Sequence, residues 1–306
     1  MGNSSLVVSL PSRWIKMCNI KKGDVVDIKE LSTGELVISP GEPLKAKKKV
    51  SISVESNNFE KVIIYSYLNG ADIIEIKADA SFTDNKLSQI YETLEFLSGF
   101  EIVEVFPDKV VVEYVGGEIP IKKLLKRVVL IVTNYLKAIV QIHKEGNPDS
   151  FKTLKRFREV DKVYYLILRT LLKSLRDTEF ALRLGINYKD IVYYTMITRA
   201  LMDTVKHVNK YSFFEKDQKL STLWKKTLDY HMESFIFFES CDIEKILERM
   251  KDMEEFMKEI HSYDIKVDYL KPEKQQPIED ALNIMRAVLA NIEENLETIL
   301  LYSMKD

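Results

Sequence analysis

Asp203 and His207 stand four residues apart in a stretch of helical character, a spacing that puts a carboxylate and an imidazole on one helical face. Such a pair could hydrogen-bond or ligate, and a plain helical contact accounts for the same spacing more commonly than catalysis does. His143, His231 and His261 have no partner at ligand spacing. Cys18 and Cys241 lie far apart and form neither a CxxC nor a Cys/His pattern, which reads as buried or idle thiols in a reducing cytosol. The chain carries no Ser-His-Asp, Cys-His, P-loop or HExxH signature, so hydrolase and kinase chemistry are not expected. Tyr164, Tyr165, Tyr193 and Tyr194 could offer an aromatic surface to a partner, with helical core packing as the default account. No enzymatic activity and no cofactor are predicted.

Positive charge is the remaining chemical feature. Residues 1–50 hold nine Lys/Arg against five Asp/Glu, a net +4; the whole chain is −2, so the rest sums to −6. A basic end on an acidic body suits a nucleic-acid contact, and ordinary surface variation explains it as well. The chain of 306 residues is long enough for two or three domains, and its 46% hydrophobic and 30% charged residues exclude wholesale disorder. The most apolar stretch, LLKRVVLIVTNYLKAIV, is interrupted by Lys126, Arg127, Asn134 and Lys137 and cannot cross a bilayer. The apolar run Leu6 to Leu10 is short and has no basic region before it, so it does not read as a signal peptide. A cytoplasmic protein without membrane insertion is expected.

Eight of the ten glycines lie in residues 1–117, which places tight turns early and long helices late. Pro40, Gly41 and Pro43 mark one boundary, and Gly116, Gly117 and Pro120 another. The resulting fold class is α+β, with domains at 1–44, 45–117 and 118–306. In the first, LVVSL reads as a strand, and Pro11 opens a helical turn carrying Trp14, Ile15 and Cys18. Ile20-Lys21-Lys22-Gly23-Asp24 forms a turn into the strand VVDIKEL, and Ser32-Thr33-Gly34 a hairpin into ELVIS. So small a piece cannot bury a core alone, which predicts a homodimer made by interlocking two copies.

The stretch SSLVVSLPSRWIKMCNIKKGDVVDIKELSTGELVISP resembles the swapped-hairpin domain of the AbrB/SpoVT transcription-factor family, through Ser-Leu-Pro-x-x-Trp, Lys-Lys-Gly-Asp and the final hairpin in the expected order. In that resemblance the family's first strand falls before Gly2. The expectation is therefore a start truncated there or a head lacking part of its DNA-facing edge. The resemblance implies DNA as a partner, with Arg13, Lys16, Lys21 and Lys22 as phosphate contacts that position the protein and carry little sequence information. Solvated lysines beside a dimer interface are the competing account of the same residues.

The middle segment alternates strands (VSISV, DIIEIK, FEIVEVF, KVVVEYV) with helices closed by Gly70 and Gly99. This predicts a small α/β module whose glycines sit at helix ends. No strand–GxGxxG–helix fingerprint is present, so a packing or spacer role is expected.

Helices are predicted at about 120–145, 149–176, 187–214, 218–239, 241–261 and 277–303 from apolar residues at helical spacing, such as Val163, Ile167 and Leu171. Asn147-Pro148-Asp149-Ser150 reads as a cap, Gly185 as the close of a turn, and Pro272 and Pro277 as brackets of a long loop. Six helices suggest two similar halves, two three-helix bundles. REVDKVYYLILRTLLKSL, followed by GINYKDIVYYTMITRALMDTVKHVNKY, resembles the PhoU family of phosphate-signalling proteins, with an order of helices that fits over residues 118–306. AbrB-like head, α/β insert and PhoU-like body together resemble a phosphate-uptake regulator of a type common in archaea. That implies a cytosolic regulator of phosphate transport, acting on transcription or by docking on a transporter or signalling partner.

PhoU-like proteins often bind metal through E/D-x-x-x-D pairs, whose spacing lets oxygen ligands converge on a cation. Here the corresponding positions read Phe157 with Asp161, Met202 with Lys206, Glu248 with Asp252, and Ala287 with Asn291. One pair survives, within an acidic helix that also holds Glu244, Glu254 and Glu255, and a solvated face explains it better. No stable metal cluster is expected; Asp161, Glu248 and Asp252 are the remaining candidate ligands.

Overall fold

Pro11, whose φ is fixed, is itself extended, and the chain turns directly from it into α1, Ser12–Met17. In the computed structural model, residues 7–30, 34, 36–40, 47–147 and 157–304 are described. The chain divides into two units, Met1–Lys47 and Lys48–Asp306.

In the first unit, the Asp24 carboxylate accepts the Lys21 N–H at 2.7 Å and the Asp24 N–H bonds the Lys21 carbonyl at 3.1 Å. Gly23 sits between them at φ +100°, a backbone region that L side chains rarely enter. This turn leads to β1, Val26–Glu30, which pairs antiparallel with β2, Leu36–Pro40, in the register Ile28 to Ile38. The run expected as a strand, Leu6 to Leu10, forms none over its described residues 7–10, and Val7 is 94% exposed. A strand persists only where a neighbour takes its hydrogen bonds, and no described strand of the head lies beside it. Residues 31–33, 35 and 41–46, with the predicted Ser32-Thr33 turn and the Gly41–Pro43 boundary, lie outside the described residues.

The second unit begins with a four-stranded sheet in the order β3-β4-β6-β5. β3 (Lys49–Ser53) and β4 (Ile73–Lys77) are parallel, joined across α2 (Phe59–Leu68). α3 (Asp84–Leu94) then leads to the hairpin of β5 (Phe100–Val105) and β6 (Lys109–Tyr114), which carries a register shift between Ile102 and Glu104. Alternation puts Ile52, Ile74, Ile76, Val110 and Val112 in one core with Phe59, Ile63 and Tyr67 of α2 and Ile90 of α3. The module expected at 45–117 therefore has its own core, yet it belongs to the same unit as the helices that follow.

Those helices are α4 (Ile121–Glu145), α5 (Phe157–Arg176), α6 (Thr178–Leu184), α7 (Tyr188–Asn209), α8 (Gln218–Ser240), α9 (Ile243–Val267) and α10 (Pro272–Ser303). α4, α5 and α7 pack on one another, and α8, α9 and α10 form a second set; α4 lies on α8 and α7 on α10. The two three-helix sets share one core that includes Leu125, Leu136, Trp224, Met285 and Leu296. α2 of the sheet module packs on α5.

Two features of the helical body depart from the sequence expectation. Helix α6 lies outside it, although Asp177 caps that helix by accepting the Phe180 N–H at 3.0 Å, and Asp-Thr-Glu at 177–179 is a legible start signal. Pro272 and Pro277 do not bracket a loop: both lie in α10. Pro272 occupies its opening position, where an N–H would have no helical acceptor, and Pro277 follows near enough to the start that one bond is forfeited while the apolar face from Ile278 onward stays buried. The predicted cap at Pro148-Asp149-Ser150 and the start of the 149–176 helix lie outside the described residues.

Candidate functional site

The head presents its cations openly. Arg13 and Lys16 lie three apart on α1, one above the other on a helical face, and Lys21 and Lys22 follow in the Gly23 turn; all four are exposed. Among the described residues none of them forms an ion pair, so their charge is available to an external anion such as a phosphate backbone. The head also leaves apolar side chains in water: Met17, Val25, Ile28 and Leu36 are each more than half exposed. Among the described residues the two-stranded hairpin has no second sheet layer, and β2 is only partly buried, a condition that favours pairing with another copy.

The candidate carboxylate ligands lie on two helices of the body, Asp161 on α5 and Glu248 and Asp252 on α9. Asp252 is held by Arg249 at 3.2 Å, and Arg249 also reaches Glu233 at 2.5 Å. Glu248 is exposed on the same helix. Asp161 is half-buried, and burial holds its carboxyl above the usual carboxylate range while Lys206 pulls the other way. The three candidate ligands do not converge: among the described residues no group of three His, Cys, Asp or Glu is arranged to hold an ion. Asp203 is taken by Lys206 at 2.7 Å and Arg199 at 3.9 Å instead of by His207. Tyr193 and Tyr194 are buried in the helical core, and Tyr164 and Tyr165 pack partly buried against the two cores, so the four tyrosines are packing residues.

Two histidines without sequence partners find them in the fold. His143 is buried at the end of α4; its Nδ1 lies 2.8 Å from the Glu215 carbonyl and its Nε2 against the Tyr211 hydroxyl. With Nδ1–H donating to the carbonyl, Nε2 accepts from the phenol, and burial pushes the imidazole pKa down, keeping the ring neutral. The pair pins the segment after α7 to the end of α4. Tyr211→Phe should therefore cost about 1–3 kcal/mol, because it strands a buried acceptor, and urea denaturation of the variant measures this. His231 is fully buried on α8, with Nε2 3.4 Å from the Val129 carbonyl.

Arg169, on α5, is the functional group that sequence reasoning missed. Its side chain is 3% exposed, with the guanidinium 4.1 Å from the Tyr114 ring, 4.8 Å from Tyr67 and 5.6 Å from Phe100. Nη2 donates to the Ala71 carbonyl at 3.0 Å and Nη1 to the Tyr67 carbonyl; Asp72 lies 4.0 Å away. The cation thus satisfies carbonyls at the C-terminal end of α2, where the helix dipole favours positive charge. Its signal was present in the sequence: an arginine standing in the apolar stripe of LILRTLL needs buried partners. An open groove of about 580 Å³ between α8 and α9 is lined by Tyr230 and Phe256 and by ion pairs, including Lys226 with Glu259 at 2.5 Å.

Compared with known families, residues 1–58 match the model described as "Antidote-toxin recognition MazE, bacterial antitoxin". The N-terminal region is thus similar to MazE/AbrB-like antitoxin-type domains, which typically form dimers. No curated protein and no solved structure matches the chain. The resemblance of residues 118–306 to PhoU has no family match behind it. Among the described residues no helix is long and apolar enough to cross a membrane.

Proposed function

We propose that this chain is a dimeric, DNA-binding transcriptional regulator whose basic head contacts duplex phosphates and whose helical body serves as sensor or adaptor. The observation that carries the reading is the group of exposed cations Arg13, Lys16, Lys21 and Lys22 on a MazE/AbrB-like domain. Phosphate uptake as the regulated process rests on the PhoU resemblance of residues 118–306, with the pairing of two three-helix sets as its support. The reading has the protein acting in the cytoplasm without catalysis.

Fluorescence anisotropy on labelled duplexes, random and from phosphate-transport promoters, tests it with the full chain. Affinity should fall steeply with salt. Arg13→Ala with Lys16→Ala should weaken binding on every duplex and, with both heads of the dimer altered, reduce the log–log salt slope by about 4, near one unit for each phosphate no longer neutralised. Absence of binding at low salt overturns the DNA reading. The exposed apolar residues of the head would then support a dimerising adaptor that docks on a transporter or signalling protein.

A further inference from the structure

Beneath the Tyr114 ring, where the sheet module meets the helical body, lies a cavity of about 140 Å³ lined by Tyr114, Gly116, Gly117, Arg169, Thr170 and Lys173, with Glu118 and Phe180 at its sides. Its size suits a small oxyanion. The cations in it are not equally committed. Arg169 is engaged with two carbonyls and the Tyr114 phenol, and Asp72 offsets part of its charge. Lys173, one turn further along α5, is half-buried, stands 4.6 Å over the Phe180 ring and, among the described residues, has no carboxylate within ion-pair distance. Glu118, the one carboxylate of the lining, is clamped by Arg183, with Nη2–Oε1 at 2.8 Å and Nε–Oε1 at 3.2 Å. Arg183 bonds Glu179 as well, at 3.1 Å.

The backbone adds donors. The N–H groups of Gly116, Gly117 and Glu118 have no acceptor among the described residues. Gly116 also fixes the cavity wall, since a Cβ there would lie 2.7 Å from the Tyr114 ring that covers Arg169. A partly buried ammonium with no carboxylate at ion-pair distance, beside backbone amides that no group of the described protein accepts from, is a favourable arrangement around an anion.

We propose that this cavity binds one small oxyanion, of the carboxylate or phosphate class, held by Lys173 and the Gly116–Glu118 backbone. Bound there, the anion ties the segment after β6 to α5 and so links the sheet module to the helical body. The site lies outside the head and does not depend on DNA binding.

Isothermal titration calorimetry of the full chain with sodium phosphate, sodium sulfate and sodium acetate, against sodium chloride at equal ionic strength, tests this. One saturable site is expected. Phosphate and sulfate binding without acetate assigns a tetrahedral anion, and acetate alone assigns a carboxylate. Lys173→Gln should weaken binding roughly tenfold to a hundredfold, the effect of losing one charge-assisted hydrogen bond, and Lys173→Arg should restore most of it. Circular dichroism and a urea midpoint near that of the parent chain establish that the variants are folded. Absence of saturable heat with all three salts overturns the site, as does equal affinity in Lys173→Gln, which would place the anion on other surface cations.

Discussion

Arg169→Ala is expected to destabilise the Lys48–Asp306 unit by about 3–5 kcal/mol, because several losses act together. The Ala71 carbonyl loses its donor at the end of α2, worth about 1–3 kcal/mol when left buried and unpaired, and the Tyr67 carbonyl keeps the Gly70 N–H at 2.9 Å but loses its charged donor. The desolvated contact with the Tyr114 ring, about 2 kcal/mol, goes with them, and a cavity opens among Tyr67, Phe100 and Tyr114. Relief from burying a charge offsets part of this, since burial alone pulls the guanidinium pKa below its ordinary value. Arg169→Met separates the contributions: it refills volume without restoring a donor, so it should recover the cavity part and leave the Ala71 carbonyl stranded. Urea denaturation gives the totals, and limited proteolysis in the loops at 69–72 and 115–120 shows whether the sheet module detaches from α5. A loss under 1 kcal/mol in Arg169→Ala would show that apolar packing of α2 on α5 suffices without the cation.

The second large effect is acid sensitivity. His231 is fully buried on α8, and burial pushes its imidazole down from about 6.5 to about 4. Above pH 6.5 neither the folded nor the unfolded ring carries a proton, and the contribution to stability is complete. Between 6.5 and 4 the unfolded chain takes up a proton that the folded chain refuses, so stability falls as pH falls, by roughly 3 kcal/mol for a shift of this size. His143, lowered by the same cause, adds in the same direction. Asp161 opposes both lower down, where its raised carboxyl pKa gives the folded state the extra proton. Urea midpoints measured from pH 7.5 to 4.5 should therefore drop steadily. In His231→Gln most of the drop should vanish, with a constant cost from repacking against Val129, Leu201 and Phe235 in its place. An unchanged pH profile in that variant would assign the acid sensitivity to His143 and to the lysine-paired carboxylates Glu75, Asp242 and Glu259, whose pKa values are lowered.

Much of the fold was legible in the sequence because its signals are local. Apolar periodicity marked α4, α5, α7, α8, α9 and α10, and alternation marked the four strands of the sheet module. The start of α7 is written in four residues, where the Asn187 side chain accepts the Asp190 N–H at 2.9 Å and the Asp190 carboxylate returns the bond at 2.8 Å. Gly70 and Gly99 sit at positive φ where helices α2 and α3 give way to the next strand. The surplus of cations in the head was a matter of composition, and the exposure of Arg13, Lys16, Lys21 and Lys22 follows from an element too small to bury anything.

The sequence by itself thus determined which segments coil, which extend and where positive charge gathers. Tertiary structure decided what could not be read from neighbours along the chain. His143 meets Glu215 and Tyr211, and Arg169 meets Tyr67, Ala71 and Tyr114, only when α4, α5 and the sheet module close on one another. It also decided that Pro277 lies within α10, because burial of that helix face outweighs one missing backbone bond. Local propensity acts over a few residues and a few tenths of a kcal/mol, whereas a buried cation or imidazole takes its state from whichever distant groups the closed core sets around it.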